Sequence, residues 1–232
     1  MQPDAGLARA AVDRLGQRLR GEVTEADLRL LDQYRRTFRV DYDRVVTLLR
    51  TELSLEVSGR PAKSTTAIVD KLNRESMRLT QMQDIAGCRV VVEDISQQNR
   101  VVSSIHNRLN GIVADRRLRP SHGYRAVHLI VRIEGLPIEV QIRTRLQHLW
   151  AEMSEKVADQ AGIEVKYGGG LPVVRQTLMT VSNQIARVEG LEGQLEQLQG
   201  LGIGSLTEEL AELRRDMQTD LGFLLESVGK SK

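Results

Sequence analysis

The residues best suited to chemistry lie on one predicted β-hairpin near the middle of the 232-residue chain. Gly135-Leu136 has the composition of a two-residue type II′ turn, which places Glu139 opposite Arg132 and Arg143 opposite His128. Strand alternation puts aliphatic side chains on one face of this hairpin. The other face is polar and carries Glu139, Gln141, Arg143, Arg132 and His128. One carboxylate among cationic groups suits a metal-bound phosphate, although a solvated sheet face shows the same alternation.

Two further residues are candidates for this polar face. Asp84 immediately precedes a predicted strand, where an aspartate is most often only a turn residue. Together with Glu139 it would supply two oxygen ligands for Mg²⁺, which takes one or two carboxylates plus substrate phosphates. Tyr124 follows a glycine at the entry to the hairpin. Aromatic residues are only 3% of the chain, so stacking on a ligand and burial in the core are about equally expected for this ring.

Basic residues surround the start of a predicted helix at Ser64. Helix N-termini attract phosphate, and Ser64 and Thr65 offer hydroxyl groups there. Basic side chains on helices are usually only solvated, so this cluster has weight only in combination with the carboxylates. Its members are Arg60, Lys63, Lys71 and Arg74.

The periodicity of the chain predicts an α+β fold, in which helices flank a mixed sheet of about five strands. Helices are expected over residues 5–20, 24–36, 41–56, 64–77, 96–109, 144–159, 173–188 and 207–228. Strands are expected over 87–92, 112–118, 126–133 and 138–143. Residues 58–61 read as a break, 168–170 as a hinge and 191–205 as a loop, and Thr24 with Asp27 resembles a capping box.

Composition excludes several classes of protein. Cys88 is the single cysteine, which rules out an intramolecular disulfide, and the four histidines show no zinc-finger spacing. No apolar run is long enough for a signal peptide or a membrane span, so a cytoplasmic location is expected. The net charge is only +2, but five arginines cluster without an acid between positions 116 and 132, which suits a phosphate-bearing ligand. They are Arg116, Arg117, Arg119, Arg125 and Arg132.

Five segments, in order, resemble the synthetase domain of the RelA/SpoT family, which makes the alarmones pppGpp and ppGpp. They are residues 60–72 (RPAKSTTAIVDKL), 84–89 (DIAGCR), 123–128 (GYRAVH), 139–144 (EVQIRT) and 147–152 (QHLWAE). The resemblance covers roughly positions 40–160 and implies a nucleotidyltransferase-like synthetase fold. It divides the chain into N-terminal helices (1–57), a catalytic core (58–165) and a helical extension (166–232).

The resemblance implies Mg²⁺-dependent transfer of the β,γ-diphosphate of ATP to the 3′-hydroxyl of GDP or GTP, with release of AMP. Asp84 and Glu139 would be the catalytic and metal-binding residues, and Glu139 would also take the proton of the attacking hydroxyl. The residues facing the ATP phosphates would be Arg60, Lys63, Lys71 and Arg89. The acceptor nucleotide would meet Tyr124, His128, Gln141, Arg143 and Arg119.

The sequence departs from the family pattern in several places. The first segment reads Arg60-Pro61-Ala62-Lys63, one residue longer than Arg-x-Lys, and Ala126 stands where the family has serine. Pro120-Ser121-His122 lacks the lysine expected near the acceptor's 5′-phosphates, a role that Arg119 or Arg117 could take.

These departures leave two alternatives open. One is a toxin-type relative that modifies adenine nucleotides or the 3′ end of tRNA, with Arg116, Arg117 and Arg119 on the tRNA backbone. The other is a catalytically silent binding or oligomerisation module. No histidine is followed by aspartate, so the hydrolase motif of the family's long members is not expected. Short members commonly form homo-oligomers, for which the terminal helices are candidates.

Overall fold

The structure is a computed structural model that describes residues 7–133, 135–198 and 204–229. Its helices are α1 Arg9–Arg18, α2 Glu25–Arg36, α3 Arg39–Thr51, α4 Thr65–Arg74, α5 Ile95–Leu109, α6 Arg145–Ala161, α7 Pro172–Gln197 and α8 Gly204–Gly229. Its strands are β1 Val57–Arg60, β2 Ala86–Val92, β3 Ile112–Asp115, β4 Val127–Val131 and β5 Ile138–Thr144. No helix within these described ranges is long and apolar enough to cross a membrane.

The five strands form one mixed sheet in the order β1-β2-β5-β4-β3, which confirms the predicted α+β fold. Strand β1 pairs antiparallel with β2, with Val57 opposite Val90 and Arg60 opposite Gly87. Strand β2 alternates buried and half-buried residues, as a period-2 apolar pattern requires. The aliphatic face predicted for the hairpin is buried at the alternate positions of β4 and β5, namely Val127, Leu129, Val131, Ile138, Val140 and Ile142.

Two compact units divide the described chain. The first contains residues through Val90, Ser104–Val113 and Leu129–Gln141. Its N-terminal helices bury Leu15, Leu31, Phe38 and Leu49. The predicted capping box is present at the start of α2, where Thr24 Oγ1 accepts from the Asp27 N–H at 3.2 Å and Asp27 accepts from the Thr24 N–H at 3.3 Å.

The second unit contains Val91–Ser103, Ala114–His128 and the residues from Ile142 onward. Helices α6, α7 and α8 pack around Trp150, whose indole N–H donates to the Leu178 carbonyl at 2.9 Å. The buried apolar side chains of this core include Leu146, Ile185, Leu210 and Leu221.

A buried polar network in the second unit fixes the junction between β5 and α6. Thr144 is the N-cap of α6, and its hydroxyl also hydrogen-bonds to the Glu189 carboxylate on α7. Gln147 donates to Glu189 at 2.9 Å, and Gln98 donates to Gln147 at 2.9 Å and to the Ile142 carbonyl at 2.8 Å. Both neighbours of Arg143 in the chain are therefore held by hydrogen bonds.

The structure corrects three of the sequence expectations. Residues 58–61 are not simply a break, because Ser58, Gly59 and Arg60 belong to β1 and pair with β2. Residues 191–197 are not a loop, because α7 continues to Gln197; residues 199–203 of that predicted loop lie outside the described residues. The other helices and strands end within five residues of their predicted positions.

The predicted two-residue hairpin turn is the third correction. Strand β4 ends at Val131 and β5 begins at Ile138, so the connection is longer than two residues. Pro137 has no N–H to donate to a ladder. The Leu136 N–H donates at 2.9 Å to Asp41 on α3, and Arg132 donates to the Gly135 carbonyl at 3.2 Å. The turn type involves residue 134, which lies outside the described residues.

Glycine at position 59 is required by the close contact of β1 with β2. A Cβ atom there would lie 2.6 Å from the Gly87 carbonyl oxygen and 2.6 Å from the Cys88 Cα. We expect Gly59→Ala to lower the free energy of unfolding by about 1–3 kcal/mol in urea titrations. The control is Gly190→Ala in α7, where an added Cβ atom meets nothing within 4 Å. This substitution should raise the free energy of unfolding by about 0.5–1 kcal/mol. Equal effects would contradict this packing.

Burial raises the pKa of the Glu189 carboxyl above its ordinary value of 4.5, although hydrogen bonds from Thr144 and Gln147 oppose the shift. The folded state therefore disfavours the ionised carboxylate. The contribution of Glu189 to the free energy of unfolding decreases as the pH rises above 4.5. We expect Glu189→Gln, which mimics the protonated acid, to gain stability relative to the unaltered chain between pH 5 and pH 8 in urea titrations. A difference that does not vary with pH would contradict the burial of this charge.

Candidate functional site

Asp84 lies between two lysines in the first unit. Lys63 Nζ donates to Asp84 Oδ2 at 2.6 Å, and Lys71 Nζ donates to Asp84 Oδ1 at 2.9 Å. The three side chains are 12% (Lys63), 20% (Lys71) and 20% (Asp84) exposed, so these ion pairs are largely removed from water. We call Lys63, Lys71 and Asp84 the lysine–aspartate cluster.

The backbone around α4 delivers both lysines to this position. The Lys63 N–H donates to the Ile85 carbonyl at 2.6 Å, which joins the segment before α4 to the start of β2. Ser64 then caps α4 by accepting from the Ala67 N–H at 3.3 Å. Arg35 on α2 donates to the Lys63 carbonyl at 3.1 Å and to the Thr65 hydroxyl at 3.2 Å. Arg35 was not predicted, because a basic residue on a helix has no distinctive sequence signal.

The lysines keep the Asp84 carboxylate ionised. Burial alone would raise its pKa, but the charges of Lys63 and Lys71 and their hydrogen bonds outweigh this and lower the pKa to about 2. Asp84 is therefore a carboxylate throughout the neutral range. An ionised carboxylate is the form that can bind a cation.

Gly87 creates an open strip on one face of the sheet. Residues opposite each other in an antiparallel pair share a face, so Arg60, opposite Gly87, and Arg89, opposite Ser58, project from the same face. A Cβ atom on Gly87 would lie 3.5 Å from the Glu139 Cβ and 3.0 Å from the Glu139 carbonyl oxygen. Glu139 on β5 therefore flanks Gly87 on one side and Arg60 on β1 flanks it on the other.

Glu139 is half-buried and accepts a hydrogen bond from Gln141 Nε2 at 2.7 Å. The described part of the chain has no group of three or more His, Cys, Asp or Glu side chains that could hold a metal ion. Carboxylate oxygens, such as those of Asp84 and Glu139, are the ligand type that Mg²⁺ takes together with water and substrate phosphates. They do not fit a closed structural zinc site.

The predicted acceptor residues Tyr124, His128 and Arg143 form a cluster in the second unit, here called the tyrosine cluster. The Tyr124 hydroxyl lies 2.8 Å from His128 Nε2 and accepts from Arg143 Nη2 at 3.0 Å. The Arg143 guanidinium carbon is 5.0 Å from the centre of the Tyr124 ring, within cation–π range. His128 and Arg143 are buried, and the Tyr124 ring is half-buried.

A tight turn before Tyr124 sets the direction of its ring. The Tyr124 N–H donates to the Ser121 carbonyl at 2.9 Å, and Gly123 has φ +90°. A Cβ atom on Gly123 would lie 2.7 Å from Trp150 Cζ2, so only glycine fits this turn. Ser182 on α7 donates to the Gly123 carbonyl at 2.6 Å and holds the turn against the helical core.

The arginine-rich segment contains both structural and exposed members. Arg117 forms an ion pair with Asp115 at 2.6 Å and donates to Gln98 and Asn99. Arg125 donates to the Arg117 carbonyl, Ser182 and Asn183. These contacts hold the Arg117 side chain in place, and the two ligand roles suggested for it from the sequence stay predictions. Asp115, the partner of Arg117, directly precedes residues 116–132, the range that contains five arginines and no acid. Arg116 and Arg119 are exposed.

The predicted site residues thus fall into two sets. The first unit contains those on or just before α4 and β2, on β1, and on the first part of β5, which are Arg60, Lys63, Lys71, Asp84, Arg89, Glu139 and Gln141. The second unit contains Arg119 and the tyrosine cluster.

The lowered pKa of Asp84 predicts a pH-dependent contribution to stability. The folded pKa of about 2 lies below the ordinary 3.8, so the stabilisation is complete above about pH 4 and is lost as the pH falls towards 2. We expect Asp84→Asn to cost about 2 kcal/mol of unfolding free energy at pH 6, and less at pH 3, in urea titrations. A cost that stays constant between these pH values would contradict the ion pairs.

Comparison with known proteins finds similarity in the central segment of the chain. A family model described as the region found in RelA / SpoT proteins matches residues 59–161. The uncharacterized protein Rv1366 of Mycobacterium tuberculosis is 37% identical over 111 residues, which are 46% of this chain and 41% of that protein. The Probable GTP diphosphokinase RSH2, chloroplastic, of Oryza sativa is 38% identical over 101 residues, which are 41% of this chain and 14% of that protein. The chain thus matches well under half of each relative.

Solved structures share the fold. The small alarmone synthetase 1 of Bacillus subtilis bound to its product pppGpp is 24% identical, with a TM-score of 0.54 over 71% of this chain and 97% of that one. Another structure of that synthetase is 25% identical, with a TM-score of 0.52 over 79% of this chain and 97% of that one. The sheet order and the segment motifs agree with these matches, and residues 59–161 of this chain are similar to the region found in RelA / SpoT proteins.

Proposed function

We propose that this chain is an ATP:nucleotide 3′-pyrophosphokinase that transfers the β,γ-diphosphate of ATP to the 3′-hydroxyl of GDP or GTP. The RelA/SpoT-family domain supports this, as does a relative named as a probable GTP diphosphokinase. The observation that carries the proposal is the lysine–aspartate cluster, in which the ionised Asp84 is held beside two ammonium groups. Those charges suit a cation-bound triphosphate.

The reaction exchanges a phosphoanhydride bond of ATP for a phosphoester bond on the acceptor. The acceptor's 3′-oxygen attacks the β-phosphorus of ATP and forms a new O–P bond. The bond between the β-phosphorus and the oxygen that bridges it to the α-phosphate breaks, and AMP leaves with that oxygen. The proton of the 3′-hydroxyl passes to the Glu139 carboxylate, which acts as the general base.

Positively charged side chains of the first unit bind the triphosphate and stabilise the charge that develops during transfer. Lys63 and Lys71 would bind the phosphates as point charges, and Arg60 and Arg89 offer planar guanidinium donors on the strip beside Gly87. Catalysis of this kind depends chiefly on positioning and charge neutralisation. Asp84 and Glu139 would hold Mg²⁺, which when bound neutralises phosphate charge.

In the second unit, the acceptor nucleotide is assigned to Arg119 and the tyrosine cluster. Two hydrogen-bonding contacts, from His128 and Arg143, fix the Tyr124 hydroxyl, so the ring is pre-oriented as a platform for a base. The exposed Arg119 could contact the acceptor's 5′-phosphates in place of the lysine that the segment lacks.

A label-transfer assay tests the proposal. ATP labelled in its β- or γ-phosphate is incubated with the protein and Mg²⁺, with GDP, GTP, ATP or deacylated tRNA offered separately. We expect label on GDP or GTP, and a loss of about 10²–10⁴-fold in rate for Glu139→Gln because the base is removed. The matched control is Glu209→Gln, the same change at an exposed position on α8.

The acceptor that receives label decides between the candidate functions. Label on tRNA or on an adenine nucleotide alone would contradict the guanine acceptor. No transfer to any acceptor would contradict the enzyme. Equal rates for Glu139→Gln and Glu209→Gln would remove Glu139 from the mechanism.

A further inference from the structure

Both carboxylate oxygens of Asp84 are already bound by ammonium groups. Lys63 occupies Oδ2 and Lys71 occupies Oδ1, with one lysine for each oxygen. A cation that binds Asp84 must share or displace at least one of these contacts. Charge-assisted hydrogen bonds in a largely buried setting are among the stronger polar contacts, so displacement carries a substantial cost.

The charge of the cluster opposes a free divalent cation. Two ammonium groups face one carboxylate, so the three side chains together carry a net positive charge. At separations of a few ångströms and with restricted access of water, such repulsion is only weakly screened by salt. A bare Mg²⁺ or Mn²⁺ ion is therefore repelled by the same lysines that occupy its ligand.

A nucleoside triphosphate reverses this balance. Its complex with Mg²⁺ is net negative, so the lysines attract it. Phosphate oxygens can accept the hydrogen bonds of Lys63 and Lys71, which compensates for the contacts with Asp84 that are given up. The carboxylate is then available to a cation that the same phosphates already bind.

We propose that Lys63 and Lys71 exclude free divalent cations from Asp84 and release this carboxylate only when a nucleoside triphosphate binds. The proposal rests on the proposed function, because it takes the triphosphate as the ligand of the cluster. It gives the two lysines a role in the free protein that differs from phosphate binding. The free chain has low affinity for Mg²⁺ or Mn²⁺, and the cation and the nucleotide bind together.

Binding of Mn²⁺ tests this role without measuring activity. Protein is titrated with Mn²⁺ alone, and the free ion is followed by its electron paramagnetic resonance signal. The titration is repeated with α,β-methylene-ATP, in which the bond to be broken cannot be cleaved, and the Mn²⁺ bound by the analogue without protein is measured separately and subtracted. The unaltered chain should bind Mn²⁺ at least about tenfold more tightly with the analogue than without it.

Removing one lysine should expose Asp84 to the free ion. We expect Lys71→Gln to bind Mn²⁺ alone about tenfold more tightly than the unaltered chain, and to bind the analogue less tightly. Lys63→Gln should behave in the same way, and serves as a second variant if Lys71→Gln does not fold. The gain should disappear in the double variant Lys71→Gln/Asp84→Asn. Lys166→Gln removes the same charge from the second unit and should leave Mn²⁺ binding unchanged.

The outcomes separate this proposal from the proposed function. Tight binding of Mn²⁺ to the unaltered chain, or a gain in Lys71→Gln that survives Asp84→Asn, would overturn the exclusion by lysines. Either result is compatible with label transfer to GDP or GTP. If Mn²⁺ binds as expected but no acceptor receives label, the exclusion of free cations by the lysines is supported and the proposed pyrophosphokinase activity is contradicted.

Discussion

Strands β1, β2 and β5 come together at Gly59 and Gly87, where a side chain would collide with or crowd the neighbouring strand. The candidate site of the first unit depends on this close packing. Because Gly87 has no side chain, Arg60 and Glu139 flank an open strip on one face of the sheet. The backbone hydrogen bond from Lys63 to Ile85, at the start of β2, brings the lysine to Asp84. The Lys63 and Asp84 charges are thus held in the segments that directly precede α4 and β2.

Each unit supports its polar side chains with contacts from elsewhere in the chain. In the first unit, Arg35 on α2 holds the segment that begins α4. In the second, Glu189 on α7 holds Thr144, directly after Arg143, and Ser182 holds the turn before Tyr124. Such supporting groups cost conformational entropy when they are ordered, but they reduce the motion of the side chains that would meet a ligand. The helices outside the family segment therefore contribute to its local geometry.

The sequence predicted those features that depend on local pattern. The capping box at Thr24, the buried aliphatic face of β4 and β5, and most helices follow from neighbouring residues, and the structure confirms them. Strand β1 was missed because Ser58-Gly59-Arg60-Pro61 has the composition of a turn, and only pairing with β2 makes it a strand. The end of α7 was missed because its glycines weaken the helical signal, whereas packing with α6 and α8 stabilises the helix.

The candidate site divides in the same way between sequence and tertiary structure. The sequence alone determined which groups are available: carboxylates at 84 and 139, basic residues around α4, and an aromatic ring at 124 in a chain with few aromatics. Residue types and the order of the segments are properties of the sequence itself. Only the tertiary structure decided which charges neutralise each other, pairing Asp84 with Lys63 and Lys71. Electrostatic interactions depend on distance and burial, and folding sets both between residues far apart in the chain.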